Sequence, residues 1–189
     1  MMAHHSRFLE DLGLQYLDII AWKKTTANYA NPRNIQIKRS GHYLPAIQWE
    51  ALLVYQKPGA LTRMDTQARL YMSEHHTNVW EIPNLTRQLE MLGHPAVCPV
   101  EIPLRCLLAY TQPHCVVLDP FGGAGTTMIA AEKTGRRALL AEISPTFCEM
   151  AARRWERLTG AEARRVSQRS TRKRRVGNES EQHEARSAC

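Results

Sequence analysis

The stretch Val116-Val117-Leu118-Asp119-Pro120-Phe121-Gly122-Gly123-Ala124-Gly125-Thr126-Thr127 decides the fold. Its apolar run ends in an acid, and a glycine-rich turn and two threonines follow. This pattern predicts a buried parallel strand that enters a helix through a tight loop. Ligands bind at such junctions, because glycines let the backbone approach a ligand closely and the amides at a helix N-terminus attract anions.

Two common phosphate-binding loops are disfavoured by residues that this stretch lacks. The P-loop requires Gly-Lys-Ser/Thr, but Thr126 follows Gly125 directly and no lysine is present. The dinucleotide fingerprint requires a third glycine, and Met128 occupies that position. The acid at the front of the loop, Asp119, instead suits an ammonium group or a polarised hydroxyl.

A second acid, Glu142, follows the next apolar run, Ala138-Leu139-Leu140-Ala141. It lies 20 residues after Gly122. An adjacent parallel strand would place a carboxylate at this point against ribose hydroxyls.

The order of three segments resembles that of the amino-group DNA methyltransferases, in the permuted subclass whose cofactor loop lies late in the chain. The segments are His94-Pro95, the glycine loop and Ala141-Glu142-Ile143-Ser144-Pro145. Enzymes of this bacterial and phage family serve DNA methylation and restriction-modification, and they transfer a methyl group from S-adenosyl-L-methionine to the exocyclic amine of adenine or cytosine. The resemblance is strongest over residues 90–158 and extends to 8–58. It implies an α/β fold, a Rossmann-like S-adenosylmethionine-dependent methyltransferase sheet with helices on both faces.

The resemblance also implies which residues hold the cofactor. Asp119 would lie near the methionine side, Phe121 against the apolar surface and Glu142 on the ribose. The His-Pro segment would wall the methionine end, although His94 could instead cap the helix that follows. The full implied set is His94, Pro95, Asp119, Phe121, Gly123, Gly125, Thr126, Thr127 and Glu142.

A basic loop is predicted from Lys23 to Ser40, after a strand over residues 14–22. We expect its cations to contact DNA phosphates and base edges, the alternative being a merely solvated loop. A buried strand over Trp49–Tyr55 is similar to the family strand that lines the target-base pocket. Residues 56–92 are the possible target-recognition segment. The DNA-binding candidates are Lys23, Lys24, Arg33, Lys38 and Arg39.

The family's catalytic tetrapeptide is Asp, Asn or Ser followed by Pro-Pro and an aromatic residue. No Pro-Pro dipeptide occurs in the 189 residues. We therefore expect no catalytic residue of the family in this chain, an N-terminally truncated or split enzyme, and a separate N-terminal fragment or a homodimer partner. The first letter of the tetrapeptide hints at the target base, so adenine and cytosine stay undistinguished. The alternatives are a non-catalytic cofactor- or DNA-binding remnant or regulatory module, and a nicotinamide-binding Rossmann domain.

Composition indicates one compact domain, over 1–159, followed by a tail. Hydrophobic residues make up 43% of the chain and the formal charge is +7. From Gly160 to Cys189, eight basic residues stand against four acids with almost no large apolar residue, which predicts a disordered basic tail. This tail would contact phosphates or simply aid solubility.

Targeting and metal signals are absent from the sequence. No signal peptide and no apolar run of about 18 residues occurs, so we expect a soluble, cytoplasmic protein without membrane contact. The five cysteines form no C-x-x-C pair. This pattern disfavours zinc and disulfides and predicts ordinary buried thiols.

Helices are predicted on both sides of the glycine loop. Pro99 and Pro103 confine the start of one helix to about Glu101, because proline is tolerated only in the first turn. Its predicted inward face is Leu104, Leu107, Leu108 and Thr111. The last helix should begin at Ser144-Pro145. It should bury Phe147, Met150, Ala151, Trp155 and Leu158.

Overall fold

The computed structural model describes residues 2–25, 48–59, 61–83 and 98–166. Within these ranges the chain forms five helices and five strands. The helices are α1 Met2–Asp11, α2 Thr66–Ser73, α3 Glu101–Tyr110, α4 Thr126–Lys133 and α5 Pro145–Thr159. The strands are β1 Gln15–Lys24, β2 Trp49–Gln56, β3 Val79–Ile82, β4 Val116–Asp119 and β5 Arg137–Leu140.

The described strands divide between two sheets. One has the order β2-β1-β3, with β1 antiparallel to β2 and parallel to β3. The other pairs β4 with β5 in parallel, from Val116 opposite Arg137 to Asp119 opposite Leu140. The glycine loop and Glu142 follow β4 and β5, so the predicted site lies at the carboxyl edge of the parallel pair.

Helix α3 lies between the two sheets and joins their cores. Its residue Ile102 packs with the buried side chains of the three-stranded sheet, Ile20, Trp22, Trp80 and Ile82. Leu107, one and a half turns later, packs with Ala130 and Ala131 of α4. Because its apolar residues point to both sides, one short helix fixes the site-bearing pair of strands against the rest of the molecule.

The predicted start of α3 at Glu101 is confirmed, but its predicted inward face is only partly right. Leu107 is buried, as expected, whereas Leu104 and Leu108 are half-buried. Arg105 is also buried, with its guanidinium over the Trp80 ring and its Nε donating to Glu101 at 2.9 Å. A charged residue in a sequence is interpreted as solvent-exposed. The spacing of apolar residues therefore could not predict that Arg105 is buried.

Helix α2 was not predicted. It begins with the N-cap Asp65, whose Oδ1 accepts the amide hydrogen of Ala68 at 2.8 Å. Its Tyr71 hydroxyl donates to Glu101 of α3. Helix α2 and β3 both lie within the predicted target-recognition stretch 56–92. This part of the stretch contributes to the core, since Trp80 of β3 is 3% exposed.

Helix α5 begins at the predicted pair, with Ser144 as N-cap and Pro145 in the first turn. The prediction that five of its apolar residues are buried was wrong, since only Ala151 is buried. Trp155, assigned to the core, is half-buried, and its indole N–H donates to Glu132 at 3.0 Å. The reason is that, among the described elements, α5 packs mainly against α4, and it touches the glycine loop at Ala151.

The glycine loop is packed tightly between β5 and α5. A Cβ built on Gly122 would lie 2.8 Å from Cδ2 of Leu140, and one on Gly125 would lie 2.8 Å from Cβ of Ala151. Gly125 also has a φ of 77°, in the left-handed region. Both positions therefore require glycine because the loop backbone is in contact with its neighbours.

Arg136 closes the junction between α3, α4 and β5. This buried guanidinium donates to the Thr111 carbonyl at 2.8 Å, to the Thr111 hydroxyl at 3.2 Å and to the Thr134 carbonyl. Its Nη2 lies 3.8 Å from Oδ2 of Asp65. The end of α3, the end of α4 and the start of α2 are thus held by one side chain.

We predict that Arg136→Met lowers the free energy of unfolding by about 3 kcal/mol, because two partly buried carbonyls and a carboxylate lose their charged donor. Its exposed neighbour supplies the control: Arg137→Met should change stability by less than about 0.5 kcal/mol. Urea unfolding followed by circular dichroism measures both. Equal effects of the two substitutions would contradict the assigned role of Arg136.

We predict that Gly125→Ala destabilises the fold by about 2–4 kcal/mol. The positive φ accounts for about 1 kcal/mol, and the overlap with Ala151 adds the rest. Gly160 is a matched control, because its φ is 73° and nothing lies within 4 Å of a built Cβ. Gly160→Ala should therefore cost only about 1 kcal/mol in urea unfolding. A Gly125→Ala effect no larger than that of Gly160→Ala would refute the close packing described above.

Candidate cofactor site

The candidate site lies where β4 and β5 end side by side. Asp119 is the last residue of β4 and is opposite Leu140 of β5. Backbone bonds then tie the loop to the end of β5: the Gly122 amide donates to the Ala141 carbonyl at 2.8 Å, and the Ala141 amide donates to the Asp119 carbonyl at 2.9 Å. The two acids predicted from the sequence are thereby brought to the same edge.

Glu142 is braced by two backbone amides. Its Oε2 accepts the Gly123 N–H at 2.7 Å, and its Oε1 accepts the Ser144 N–H at 2.9 Å. The first bond crosses from the end of β5 to the glycine loop. These bonds hold the half-buried carboxylate in one orientation at the edge of the sheet.

Asp119 is held in the same way from within its own loop. Its Oδ1 accepts the Phe121 N–H at 3.0 Å, and its Oδ2 accepts the Thr127 hydroxyl at 2.6 Å. Thr127, predicted as a cofactor contact, therefore hydrogen-bonds the neighbouring acid. Each carboxylate oxygen has two acceptor positions, so Asp119 keeps acceptor capacity beyond these bonds.

Four amides of the loop are bonded within the protein. Those of Phe121, Gly122, Gly123 and Gly125 all donate to carboxylate or carbonyl oxygens of the chain. A phosphate cradle needs such amides pointing at the ligand. These four amides are therefore not free to bind a phosphate, and the fixed carboxylates suit a ligand whose polar groups donate hydrogen bonds.

Two apolar side chains flank the acids. Phe121 in the loop is 87% exposed, and Ile143 after Glu142 is 98% exposed. Exposed apolar side chains beside fixed acceptors provide a surface on which a flat, apolar ring can lie. Thr126, the first residue of α4, is instead buried.

Several predicted site residues fall outside the described ranges. These are His94 and Pro95 of the cofactor set and Arg33, Lys38 and Arg39 of the DNA set.

The assignment of Lys23 and Lys24 to a loop was wrong, because β1 continues through Lys24. Lys23 pairs with Glu81 at 2.6 Å, and Lys24 pairs with Glu50. Strand pairing with β2 and β3 supplied these partners and extended the strand. The partners lie 26 and 58 residues away in sequence.

The expectation of buried thiols was also wrong. Cys98, Cys115 and Cys148 are exposed, and Cys106 is half-buried. Burial raises the pKa of the Cys106 thiol to about 11, so this thiol is protonated at neutral pH and is a poor nucleophile. Among the described residues no cluster of His, Cys, Asp and Glu could hold a metal ion. In the same residues no helix combines the length and hydropathy of a membrane span.

Sequence reasoning missed Arg154 on α5. Its Nη1 donates to the Ala124 carbonyl at 2.5 Å, inside the glycine loop. The two residues are 30 apart in sequence. Arg154 follows another arginine on an amphipathic helix, and nothing in this local pattern indicates a contact with the loop.

Comparison with known proteins gives relatives of one kind. Type II methyltransferase M2.MboI of Moraxella bovis is 26% identical over 162 residues, which cover 82% of this chain and 57% of that protein. Type II methyltransferase M2.DpnII of Streptococcus pneumoniae is 30% identical, covering 78% and 54%. DNA adenine methyltransferase YhdJ of Escherichia coli K12 is 28% identical, covering 82% and 54%. The chain spans little more than half the length of these relatives.

Solved structures of DNA methyltransferases have a similar fold. TTHA0409 of Thermus thermophilus, in complex with S-adenosyl-L-methionine, matches with a TM-score of 0.61 and 28% identity over 82% of this chain and 59% of that one. The cytosine-N4-specific PvuII DNA methyltransferase matches with a TM-score of 0.66 over 88% and 58%; at 19% identity it shows the fold alone. The predicted class, the Rossmann-like methyltransferase fold, is thereby confirmed. The family model described as DNA methylase matches residues 2–153, and the chain therefore belongs to the N6/N4 amino-group DNA methylase family.

Proposed function

We propose that this chain provides the S-adenosyl-L-methionine site of an enzyme that methylates the exocyclic amine of adenine or cytosine in DNA. One observation carries the proposal: two carboxylates, Asp119 and Glu142, are braced by hydrogen bonds at the ends of adjacent parallel strands, beside the glycine loop. Membership of the DNA methylase family and the cofactor complex of TTHA0409 support it.

The residues present fit this cofactor, which carries a sulfonium, an ammonium and ribose hydroxyls but no phosphate. When bound, S-adenosyl-L-methionine supplies an electrophilic methyl group. Glu142 accepts hydrogen bonds from the ribose hydroxyls, and Asp119 faces the methionine side. Phe121 covers an apolar face of the ligand. Because both acids are already held in place, binding requires little reorganisation of the protein. The proposed set is completed by His94, Pro95, Gly123, Gly125, Thr126 and Thr127.

DNA is the proposed partner, in the cytoplasm where bacterial DNA lies. Lys23 and Lys24 stand at the end of β1, each paired with a glutamate. The Lys23–Glu81 pair is exposed on both sides, and exposed ion pairs contribute little stability, so a phosphate can replace Glu81 at small cost. The remaining proposed DNA contacts are Arg33, Lys38, Arg39 and the basic residues of 160–189.

A second polypeptide segment completes the proposed enzyme. The family's Pro-Pro tetrapeptide accepts hydrogen bonds from the target amine and orients it, and the 189 residues contain no Pro-Pro dipeptide. We propose that a separate N-terminal fragment carrying this tetrapeptide completes the base pocket, because a second copy of these 189 residues would lack the tetrapeptide as well. Residues 1–159 then form the cofactor-binding part of the methyltransferase domain, and they end where α5 ends.

We predict that Asp119→Ala and Glu142→Ala each weaken S-adenosylhomocysteine binding by about 1–3 kcal/mol, because a ligand donor loses its charged acceptor. The control is Glu149→Ala, which removes an exposed acid that pairs with Arg153 and should leave the affinity unchanged. Titration calorimetry on folded variants measures the affinities, and NAD should give no binding heat. Wild-type affinity in both variants would show that these two acids do not bind the ligand.

We predict negligible methyl transfer to DNA by the 189 residues alone and recovery when a fragment carrying the Pro-Pro tetrapeptide is added, because positioning of the amine provides much of the rate enhancement. Incorporation of a radiolabelled methyl group into DNA measures the activity. A fragment with both prolines replaced by alanine is the matched control and should restore much less activity. Transfer by the chain alone at about 1 per second, an ordinary enzymatic rate, would contradict the proposed division. Cofactor binding without transfer in any mixture would favour the non-catalytic module.

A further inference from the structure

Helix α5 places one charged side chain against the backbone of the glycine loop. Arg154 Nη1 donates to the Ala124 carbonyl at 2.5 Å and lies 3.3 Å from the Thr126 hydroxyl oxygen. Ala124 is 3% exposed, and Thr126 is also buried. Burial lowers the pKa of the Arg154 guanidinium from its ordinary value. An arginine nevertheless stays protonated in proteins, so a charged donor contacts the loop.

The two partners of Arg154 flank the residue where the chain changes direction. Gly125 lies between them with φ 77° and ψ 27°, and α4 begins directly after it. A donor that holds the carbonyl before this residue and the hydroxyl after it fixes the turn from loop to helix. Glu142 holds the preceding part of the loop through the Gly123 amide. The loop is therefore braced twice, once from β5 and once from α5.

Helix stabilisation does not explain the position of Arg154. A cation beside the N-terminus of a helix opposes the helix dipole, and Arg154 lies beside the first residue of α4. The adjacent Arg153 shows the ordinary placement: it is exposed and pairs with Glu149 one turn earlier at 2.8 Å. What distinguishes Arg154 is its contact with the loop backbone.

We propose that Arg154 is a positioning residue for the cofactor site: it holds residues 124–126 of the glycine loop in the conformation that admits the cofactor and does not contact the cofactor itself. The inference rests on the proposed function, since it assigns a determinant of affinity to the same site. It predicts that cofactor affinity falls when the guanidinium is removed, although both site acids are retained.

The test is calorimetric titration of S-adenosylhomocysteine into the 189-residue chain and three variants. Arg154→Met keeps an apolar stem of similar length without donors and should weaken binding roughly tenfold, the effect of losing one charged hydrogen bond. Arg154→Lys keeps the charge and should recover most of the affinity, to within about threefold of wild type. Arg153→Met is the neighbouring control on the same helix and should bind like wild type.

Thermal unfolding without ligand separates positioning from simple stabilisation. A purely structural arginine would lower the Tm of Arg154→Met but leave the affinity of the folded protein unchanged, and that result would overturn the inference. If Arg154→Met does not fold, Arg154→Gln takes its place in the same titration, with the same expected loss and the same overturning result. Failure of the wild-type chain to bind S-adenosylhomocysteine would instead overturn the proposed function, and this inference with it.

Discussion

The carboxylate of Glu142 joins the three segments on which the candidate site depends. One oxygen accepts the Gly123 amide of the loop, and the other accepts the Ser144 amide at the start of α5. At 2.7 and 2.9 Å these are charge-assisted bonds, about twice as strong as neutral ones. Because β5 pairs in register with β4, two four-residue strands determine where this carboxylate meets the loop. The site follows from a short parallel pair and one side chain.

This pair of strands depends on the rest of the molecule chiefly through α3 and Arg136. Ile102 belongs to the core of the three-stranded sheet, and Leu107 belongs to the core under α4. Arg136 adds bonds from the start of β5 to the end of α3 and approaches Asp65 of α2. By contrast, Val116, Leu118 and Leu139 leave the opposite face of β4 and β5 exposed among the described residues. The prediction of a buried strand before the glycine loop was therefore wrong for this face. The site is therefore supported from one side by a junction that is mostly buried.

Local signals explain which features the sequence predicts well. The glycine loop, the start of α3 after Pro99 and the Ser144-Pro145 start of α5 each depend on residues within a few positions, and the structure has all three. The acids Asp119 and Glu142 were found because strand ends in a parallel pair meet at one edge.

Contacts between distant segments explain what the sequence could not predict. The sequence predicts a basic loop at Lys23 and Lys24, because their partners Glu81 and Glu50 are distant in sequence. The eight-residue α2 has too few turns for a clear helical period. Arg154 contacts the glycine loop through residues 28 and 30 positions away, and nothing near it in sequence marks it. A charged residue whose partner is distant in sequence cannot be distinguished, from the sequence alone, from a charged residue on the solvated surface.

The internally bonded amides of the loop affect how other nucleotides would compete with the proposed cofactor in a cell. Adenosine triphosphate carries the same nucleoside as the proposed cofactor, but its chain of negative charges occupies the place where the cofactor carries methionine. In the proposed binding mode such a chain would meet Asp119, and the amides of Phe121, Gly122, Gly123 and Gly125 are already bonded within the protein. In the proposed binding mode, the site would discriminate against nucleotides by electrostatic repulsion rather than by size, so adenosine would be recognised without competition from the cell's main carrier of it.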